Sequence, residues 1–465
     1  MSQPPSDKPS LPQRVYRSAI REPYTGDRRS RLRIVMNNLV LHLHPAQVPV
    51  RTLRFTYTWG LGGLSALLVV ILALTGAMLE FTYTPTPDGA YNSILNMQTN
   101  VWFGDLIRNV HHWSANLMIV VAALHLLRVF FTGSFRMPRE FNWIIGLVML
   151  LLTVAANFTG YLLPWDQLAY WGITVGSSII SYIPVIGEGL SRLLLGGPEI
   201  SSATLLNFYG LHISVIPMAL LLLMSFHFWR VRKDGGLSIP RKLDEGPISK
   251  EETTTTYSDL VRPEFTFALV MLAAILIFSM LIPAPLEPLA NPDVSPNPAK
   301  APWYFMGIQE LLLHYHPLIG TIAIPALALL ALFALPYLNS DMDSVGIYFR
   351  SRRGRWLALF SAAVGVLLTI GYVIFDEFFL DLPGLLPSLP TLISNGLVPL
   401  ALLLLGIIGY FEFNRRAFKA AKCESILSVF VLVLFGFITL TVIGVLFRGP
   451  GMALMWPWEV TAALH

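Results

Sequence analysis

Nine segments of this chain are long and apolar enough to cross a lipid bilayer as α-helices. Their approximate bounds are 59–81, 108–131, 143–163, 205–230, 264–283, 317–338, 356–375, 394–412 and 425–447. A spanning helix needs about 20 mostly apolar residues, whereas the alternating strands of a membrane barrel are absent from the sequence. Only 13% of the residues are charged, about half the usual share in soluble domains. The sequence predicts an all-α integral membrane protein with about nine transmembrane helices.

Basic residues are concentrated in the N-terminal arm and in every second loop between these segments. They are Arg28, Arg29, Arg31, Arg33, Arg51, Arg54, Arg136, Arg139, Arg232, Lys233, Arg241, Lys242, Arg350, Arg352, Arg353, Arg355, Arg415, Arg416, Lys419 and Lys422. With nine spans, all of these stretches fall on one side of the membrane. Because loops rich in lysine and arginine remain in the cytoplasm, we expect a cytoplasmic N-terminus and a C-terminus outside.

A polar linker divides the apolar part of the chain into two blocks. We expect a cytoplasmic arm (1–58), a four-helix block (59–231), the linker (232–263), a C-terminal block (264–376), and additional helices with a tail (377–465). Two predicted outer loops are long, which is typical of functional segments.

Composition excludes several classes of function. The single cysteine, Cys423, excludes disulfides within the chain, cysteine-held iron–sulfur clusters and CxxCH haem attachment. The net charge of +4 does not indicate nucleic-acid binding, because basic residues of membrane proteins mostly mark the cytoplasmic side. Two histidines of the arm, His42 and His44, are expected to be surface residues.

Five histidines lie inside two of the predicted spans, where a polar ring needs a partner, and four of them form two spaced pairs. His111 and His125 are 14 residues apart, and His212 and His227 are 15 apart. Four turns of α-helix take about 14.4 residues, so each pair shares one face and its members lie roughly 21 Å apart along the axis. Both spans run in the same direction, so the first histidines share the outer level and the second ones the inner level. Two imidazoles at one level can ligate one haem iron, which predicts two stacked b-type haems held without covalent bonds.

Two alternatives bear on this histidine assignment. Four core histidines, each bonded to a neighbouring carbonyl, would need no cofactor. His112 competes for the outer ligand position, but it points about 100° away from His111 and off the face of His125.

Glycines in two other spans repeat at the same period. Gly62 and Gly76 are 14 residues apart, as are Gly146 and Gly160. Gly62 and Gly146 are expected at the inner level, and the other two at the outer level. A flat macrocycle needs close backbone approach, which glycine permits, although ordinary small-residue helix packing explains any single glycine.

The sequence resembles cytochrome b of the Rieske/cytochrome bc complexes, the quinol–cytochrome c oxidoreductases, over roughly residues 50–375. The resemblance rests on "VHHW…ALHLLR", "YGLH…FHFWRVRKDG", "FTGYLLPWDQLAYWG", "PREFNW" and "APWYFMGIQELL". It implies a fused chain, with the dihaem domain in the first block and quinol-site helices in the second.

The family's activity and assembly follow as expectations. The resemblance implies a Q-cycle: quinol is oxidised at an outer site, one electron passes to a Rieske protein, and the other crosses through two haems to an inner quinone site, with proton translocation. It further implies cytochrome c or another acceptor subunit, a dimeric complex, and a bacterial cytoplasmic membrane as the location. The family's oxidation pocket corresponds here to Tyr161, Pro164, Trp165, Trp303 and Tyr304, and its haem-packing glycines to the four glycines above.

Three features depart from the family pattern. Gly60 stands where the chloroplast-like branch has a cysteine that holds an extra haem. Pro302 stands where the oxidation-site loop usually has a glutamate. The last two spans match no motif of the family.

Several charged residues have two interpretations each. Arg232, Lys233 and Asp234 follow His227, where they could contact a quinone or a haem propionate, or serve as surface anchors. Arg108 and Arg128, at the two ends of the second span, are propionate partners or side chains that extend to the interface.

The missing glutamate raises the question of which group accepts protons from quinol. Glu310 lies seven residues after Trp303, and His314 lies four residues further on. A pair at that spacing can form along one helix face, and it could pass a proton to outside water. The alternative is a solvent-facing pair at the end of a loop helix.

Two other functions compete with this interpretation. A dihaem anchor of a quinone-linked dehydrogenase also uses membrane histidine pairs, but it needs neither the second block nor "GYLLPWDQ". A transporter predicts interrupted helices and internal repeats, and no haem.

Overall fold

The computed structural model describes Pro12 and residues 47–241, 252–338 and 345–463. Most of the predicted cytoplasmic arm lies outside the described residues, including its two histidines and the arginines between 28 and 33. Part of the predicted linker, with Lys242, also lies outside them.

The described part of the chain is built almost entirely of helices. In chain order they are α1 (Leu61–Glu80), α2 (Pro87–Thr99), α3 (Gly104–Phe131), α4 (Glu140–Tyr161), α5 (Gln167–Ser181), α6 (Gly187–Leu195), α7 (Ser202–Lys233), α8 (Asp259–Leu281), α9 (Met306–His314), α10 (Leu318–Leu338), α11 (Arg352–Phe378), α12 (Ile393–Ala417), α13 (Lys422–Leu446) and α14 (Pro457–Ala463). Among the described residues, nine of these helices are long and apolar enough to cross a membrane, namely all except α2, α5, α6, α9 and α14. The all-α membrane fold is confirmed.

Short elements join the helices. Helical turns form at Val50–Thr52, Phe55–Thr58, Trp303–Phe305, Leu382–Leu385 and Pro450–Met452. The strands β1 (Gln47–Pro49) and β2 (Thr253–Thr255) pair antiparallel. This pairing ties the start of the described chain to the end of the linker.

The first four spans form one helix block. Helix α1 packs on α3, α3 on α4, and α4 on α7. Helix α8 of the second block lies against α1 and α3, where Leu68, Met118, Val121 and Ile275 form a buried cluster. Between membrane-spanning helices such contacts are stabilised by close van der Waals packing, so the two blocks are joined through a packed core.

The last span is built into the molecule rather than placed at its edge. Helix α13 makes an extensive contact with α11 and also packs on α9 and α12. A second buried cluster connects five spans through Phe130, Trp143, Leu335, Ala358 and Val431. Helix α13 therefore shares the core of the blocks that precede it.

Large apolar side chains cover the outer faces of the spans. Leu74, Leu222 and Leu367 are 63%, 66% and 69% exposed. Leucine has no polar group to satisfy, and a bilayer core solvates such faces. Exposure of this kind is expected for helices that contact lipid.

Candidate functional site

The four predicted histidines lie on two facing helices of the first block. Helix α3 carries His111 and His125, and α7 carries His212 and His227. The ring centroids of His111 and His212 are 6.2 Å apart, with the ring planes at 74°. Since an imidazole nitrogen binds a metal at about 2 Å, this separation would allow both rings to bind one metal atom placed between them. His125 lies close enough to His227 for an electrostatic interaction.

A π-helical turn accounts for the unequal histidine spacings. Residues Leu211–Val215 form this turn inside α7, and His212 is its second residue. A π-turn inserts one extra residue into a helix. The 15-residue spacing in α7 therefore matches the 14-residue spacing in α3 along the axis.

Each predicted glycine lies against one of these imidazoles. A Cβ at Gly160 would stand 2.5 Å from Cε1 of His212, and one at Gly76 would stand 3.2 Å from Cε1 of His111. The corresponding distances are 3.3 Å from Gly62 to His125 and 3.7 Å from Gly146 to His227. The glycines pair with the histidines level by level, in the arrangement expected from the sequence.

Hydrogen bonds orient the outer pair of histidines. Nδ1 of His212 donates to the carbonyl of Ala156 at 3.0 Å and lies 3.2 Å from Oγ1 of Thr159. Nδ1 of His111 lies 2.9 Å from Oγ1 of Thr75. A bond from Nδ1 to an acceptor fixes the tautomer and leaves Nε2 as the metal ligand.

His112 has a different environment. Its Nε2 lies 3.3 Å from the amide nitrogen of Asn116. The amide oxygen of Asn116 accepts a hydrogen bond of 2.8 Å from the indole of Trp303. His112 thus lies beside the predicted quinol segment.

The two predicted segments of the oxidation pocket contact each other. The rings of Phe158 and Phe305 are 5.6 Å apart. Tyr304 and Tyr161 lie close enough to interact electrostatically, and burial together with Tyr161 raises the pKa of the Tyr304 phenol. Trp303 is 40% exposed at the edge of this contact.

Hydrogen bonds to the backbone fix the segment that follows α4. Trp165 is buried and has a left-handed backbone conformation, with φ of 54°. The carbonyl of Leu163, next to Pro164, accepts a hydrogen bond of 2.7 Å from the Tyr83 hydroxyl. Asp166 caps α5 by accepting from the backbone N–H of Ala169 at 2.9 Å. Together these contacts fix the wall that the pocket residues share.

Comparison with known proteins finds cytochrome b relatives for both blocks of the chain. Residues 48–235 match the family described as Cytochrome b/b6/petB, and residues 289–383 match Cytochrome b(C-terminal)/b6/petD. Cytochrome b6 of Heliomicrobium gestii is 41% identical over 192 residues, which cover 41% of this chain and 88% of that protein. Cytochrome b6 of Prochlorococcus marinus is 45% identical over 175 residues, covering 38% of this chain and 80% of that protein. The chain belongs to the cytochrome b family.

The fold also resembles a solved structure titled "Hyperthermophilic respiratory Complex III". The TM-score is 0.61 at 20% identity, with 93% of this chain and 95% of that chain covered. Membership of the cytochrome b family implies b-type haem, and the imidazole pairs with their glycines fit this group. Four neutral imidazoles in two facing sets are a suitable donor set for haem iron.

At the inner side of this cytochrome b, Arg128 has an environment that suits a propionate. Its Nε donates to the carbonyl of Tyr57 at 2.9 Å, and its guanidinium lies 4.4 Å from the centre of the Tyr57 ring. Its Nη2 is buried and has no hydrogen-bond partner among the described residues. A carboxylate would satisfy that donor.

The other charged residues from the sequence have protein partners. Arg108 donates to the carbonyls of Ala284 and Pro285 at 2.9 and 2.6 Å, so it anchors the outer loop. Asp234 pairs with Arg230 at 3.3 Å.

Lys233 and Arg232 complete this group at the inner end of α7. Lys233 lies over the Trp229 ring at 4.8 Å, and Arg232 lies in the same last turn of α7. Roles of Arg108, Arg232, Lys233 and Asp234 toward a propionate or a quinone stay predictions.

Glu310 and His314 contact each other as their spacing predicts, and they are buried, which contradicts the alternative of a solvent-facing pair. Their Oε1 and Nε2 atoms are 3.3 Å apart, and the side chains are 0% and 1% exposed. Nδ1 of His314 lies 2.6 Å from Oδ2 of Asp376 at the end of α11. The proton-acceptor role of Glu310 stays a prediction.

Sequence reasoning missed Asn116, Asp376 and Arg448 at these sites. Asn116 is one of many polar residues near helix ends, and its contact with Trp303 joins residues 187 positions apart. Arg448 lies beyond the family match, so neither motif nor spacing singled it out.

Proposed function

We propose that this protein is the dihaem cytochrome b subunit of a quinol-oxidising complex of the Rieske/cytochrome bc type. Quinol would be oxidised at the outer pocket and quinone reduced at an inner site, coupled to proton translocation. The observation that carries the proposal is the pairing of two imidazoles and two glycines at each of two levels on one helix block.

The histidine ligands would be His111 and His212 at the outer level and His125 and His227 at the inner level. When bound there, two b-type haems would supply reversible one-electron transfer across the membrane. The protein's own part is to hold neutral imidazoles at the right orientation, which Thr75 does for the outer level through Nδ1.

The quinol pocket would be formed by Tyr161, Pro164, Trp165, Trp303 and Tyr304. Their aromatic rings and the neighbouring apolar wall suit a flat, lipid-soluble ring, and pockets of this kind bind with a few polar groups for orientation. The phenol of Tyr304 stays protonated because burial raises its pKa. It can therefore donate a hydrogen bond to a quinol or quinone oxygen.

The inner quinone site and the haem propionates would use the basic residues near the ends of α3 and α7. Arg128 has the strongest support, since its buried Nη2 is available to a carboxylate. Arg232, Lys233 and Asp234 lie at the inner end of α7, next to His227. On the outer side, Arg108 would bind a haem propionate through the guanidinium N–H groups that do not donate to the carbonyls of Ala284 and Pro285.

Partners and location follow from the same proposal. A Rieske iron–sulfur protein would dock at the outer side, with cytochrome c or another acceptor subunit beyond it, in a dimeric complex. The complex would lie in a bacterial cytoplasmic membrane with the N-terminus in the cytoplasm. The basic residues of alternate loops support that orientation.

The alternative, a membrane anchor of a quinone-linked dehydrogenase, has less support. An anchor needs only the histidine block. Here, residues 289–383 match the C-terminal cytochrome b family, and the second block supplies the Trp303–Phe305 segment that meets the first one. This arrangement favours an oxidation site between two blocks.

Purification of the native complex followed by quinol addition tests the proposal. We expect two non-covalent b haems per chain, a Rieske protein among the copurifying subunits, and reduction of the b haems by a short-chain quinol. Tyr304→Leu should slow that reduction, whereas Tyr337→Leu, at a side chain 65% exposed on an outer face, should not. A copurifying dehydrogenase subunit without a Rieske protein would favour the alternative.

A further inference from the structure

Arg448 lies just after α13, in a segment that the family matches do not cover, and its side chain is 1% exposed. Its Nη2 and Nε donate to Oε1 of Glu310 at 2.6 and 3.0 Å, and its Nε lies 3.1 Å from Oε2. Its Nη1 donates to Glu377 at 3.0 Å and to the carbonyl of Met452 at 2.9 Å. One guanidinium thus joins the end of α13 to α9 and to the end of α11.

The side chains around Arg448 form a compact ionic group, which we name the Arg448 cluster. It consists of Glu310, His314, Asp376, Glu377 and Arg448. Burial would raise the pKa of Glu310, but hydrogen bonds from His314 and Arg448 outweigh it and lower the pKa. Burial would lower the pKa of His314, but Asp376 and Glu310 raise it to about 9. At neutral pH Glu310 is therefore ionised and His314 protonated.

Removing one partner of a buried ion pair is strongly destabilising, because the other charge is left uncompensated. Arg448 compensates two carboxylates from two different helices. The contact therefore fixes the position of α9, which carries Glu310, relative to α11 and α13.

Further contacts hold the same region against the end of α13. A Cβ at Gly444 would stand 3.2 Å from the carbonyl oxygen of Met306, the first residue of α9. Lys300 Nζ donates to the carbonyl of Val445 at 2.9 Å. The Trp303–Phe305 turn directly precedes α9 and also contacts α13. The end of the last span thus supports both sides of the proposed quinol segment.

We propose that Arg448 is a positioning residue for quinol oxidation: through Glu310 it holds α9 and the Trp303–Phe305 turn in place against Tyr161 and Asn116. The last span then has a part in the oxidation site, although no family motif covers it. This inference rests on the proposed quinol-oxidising function and extends it.

Arg448→Gln in the native complex is the main test. A displacement of binding groups by about 1 Å can cost up to roughly 100-fold in rate, so we expect the KM for quinol to rise about ten-fold or more. Two haems per chain and their redox potentials should stay unchanged, because His111, His125, His212 and His227 lie in the other block.

The pH profile separates positioning from a general loss of stability. Without Arg448, Glu310 keeps the hydrogen bond from His314 but loses the second group that lowers its pKa, so its pKa rises. The KM of the variant should therefore depend more steeply on pH than that of the parent. Glu310 is in direct contact with His314 and Arg448. Asp376 and Tyr372 contact His314, Glu377 contacts Arg448, and Tyr315 contacts Tyr372.

Two further variants and a control complete the design. In Glu310→Gln/Arg448→Gln the buried carboxylate at position 310 is gone, so the additional pH dependence should disappear. Arg448→Lys keeps the positive charge but not the planar guanidinium that binds a carboxylate through two N–H groups. Its quinol affinity should lie between those of Arg448→Gln and the parent. Arg416→Gln changes an arginine whose side chain is 84% exposed and should match the parent.

Each outcome decides the inference. If the parent complex fails to oxidise quinol, the proposed function fails. If the parent oxidises quinol and Arg448→Gln has the parent KM and pH profile, the positioning role fails and the function stands. If Arg448→Gln loses its haems, the double variant decides: a raised KM with both haems present supports positioning, and the parent KM overturns it.

Discussion

Gly160 lies so close to His212 that a Cβ would stand 2.5 Å from Cε1 of the imidazole. The same imidazole donates from Nδ1 to the carbonyl of Ala156, one helical turn before Gly160. The ring is therefore fixed by a hydrogen bond on one side and by glycine packing on the other. Any side chain at position 160 has to displace the proposed outer haem ligand.

Gly160→Ala should weaken or abolish the outer haem, because an added methyl group in a filled space costs roughly 1–3 kcal/mol. The matched control is Gly409→Ala on α12, where an added Cβ would have no heavy atom within 4 Å. Haem per protein and the redox titration of the α-band measure the effect. Equal haem loss in both variants would contradict the close contact at Gly160.

His125→Leu should remove the inner haem and leave the outer one, because the inner iron loses an axial ligand. Haem content should fall from two to one per chain, with one component left in the redox titration. Leu124→Ala is a suitable control, since Leu124 is 46% exposed on the outer face of the same helix. Two intact haems in His125→Leu would overturn the ligand assignment.

Glu310→Gln tests the predicted proton acceptor. If Glu310 accepts a proton from quinol, the variant keeps both haems and their potentials but oxidises quinol at least roughly 100-fold more slowly. This factor is the lower end of the rate loss expected when a general base is removed. The measurement is the rate of quinol-dependent haem reduction. A rate within about threefold of the parent would remove the acceptor role of Glu310.

The raised pKa of His314 leads us to expect that the folded protein loses stability at high pH. Its pKa is about 9, above the ordinary value of 6.5, because Asp376 and Glu310 outweigh the effect of burial. A raised pKa in the folded state gives stability that is fully present below about pH 6.5 and is lost as the pH rises through about 9. The midpoint of thermal unfolding should fall over that range in the parent and fall less in His314→Asn. Equal slopes in both proteins would contradict the paired state of His314.

Much of the first block could be predicted from the sequence. Apolar length gave nine spans, since a bilayer requires about 20 apolar residues for each helix. The fixed geometry of the α-helix placed His111 and His125 on one face and put their glycine partners at the same levels. Periodicity is a local property, so it is readable without knowledge of the tertiary contacts.

Other parts of the candidate site depend on contacts between distant parts of the chain. The π-turn that contains His212 reconciles the 15-residue spacing with its partner helix, but nothing in the local sequence signals it. Glu310 and His314 could be paired by their spacing, yet their burial depends on α11 and α13, which cover them.

The sequence by itself determined the membrane-spanning helices and the histidine and glycine periods, because helix geometry and hydropathy act within single segments. Only the tertiary structure decided which distant charges meet. Arg448 and Glu310 are 138 residues apart, and their pairing depends on how α9, α11 and α13 pack. A buried charge needs a partner, but the sequence does not show which of the distant carboxylates lies within hydrogen-bond distance of Arg448.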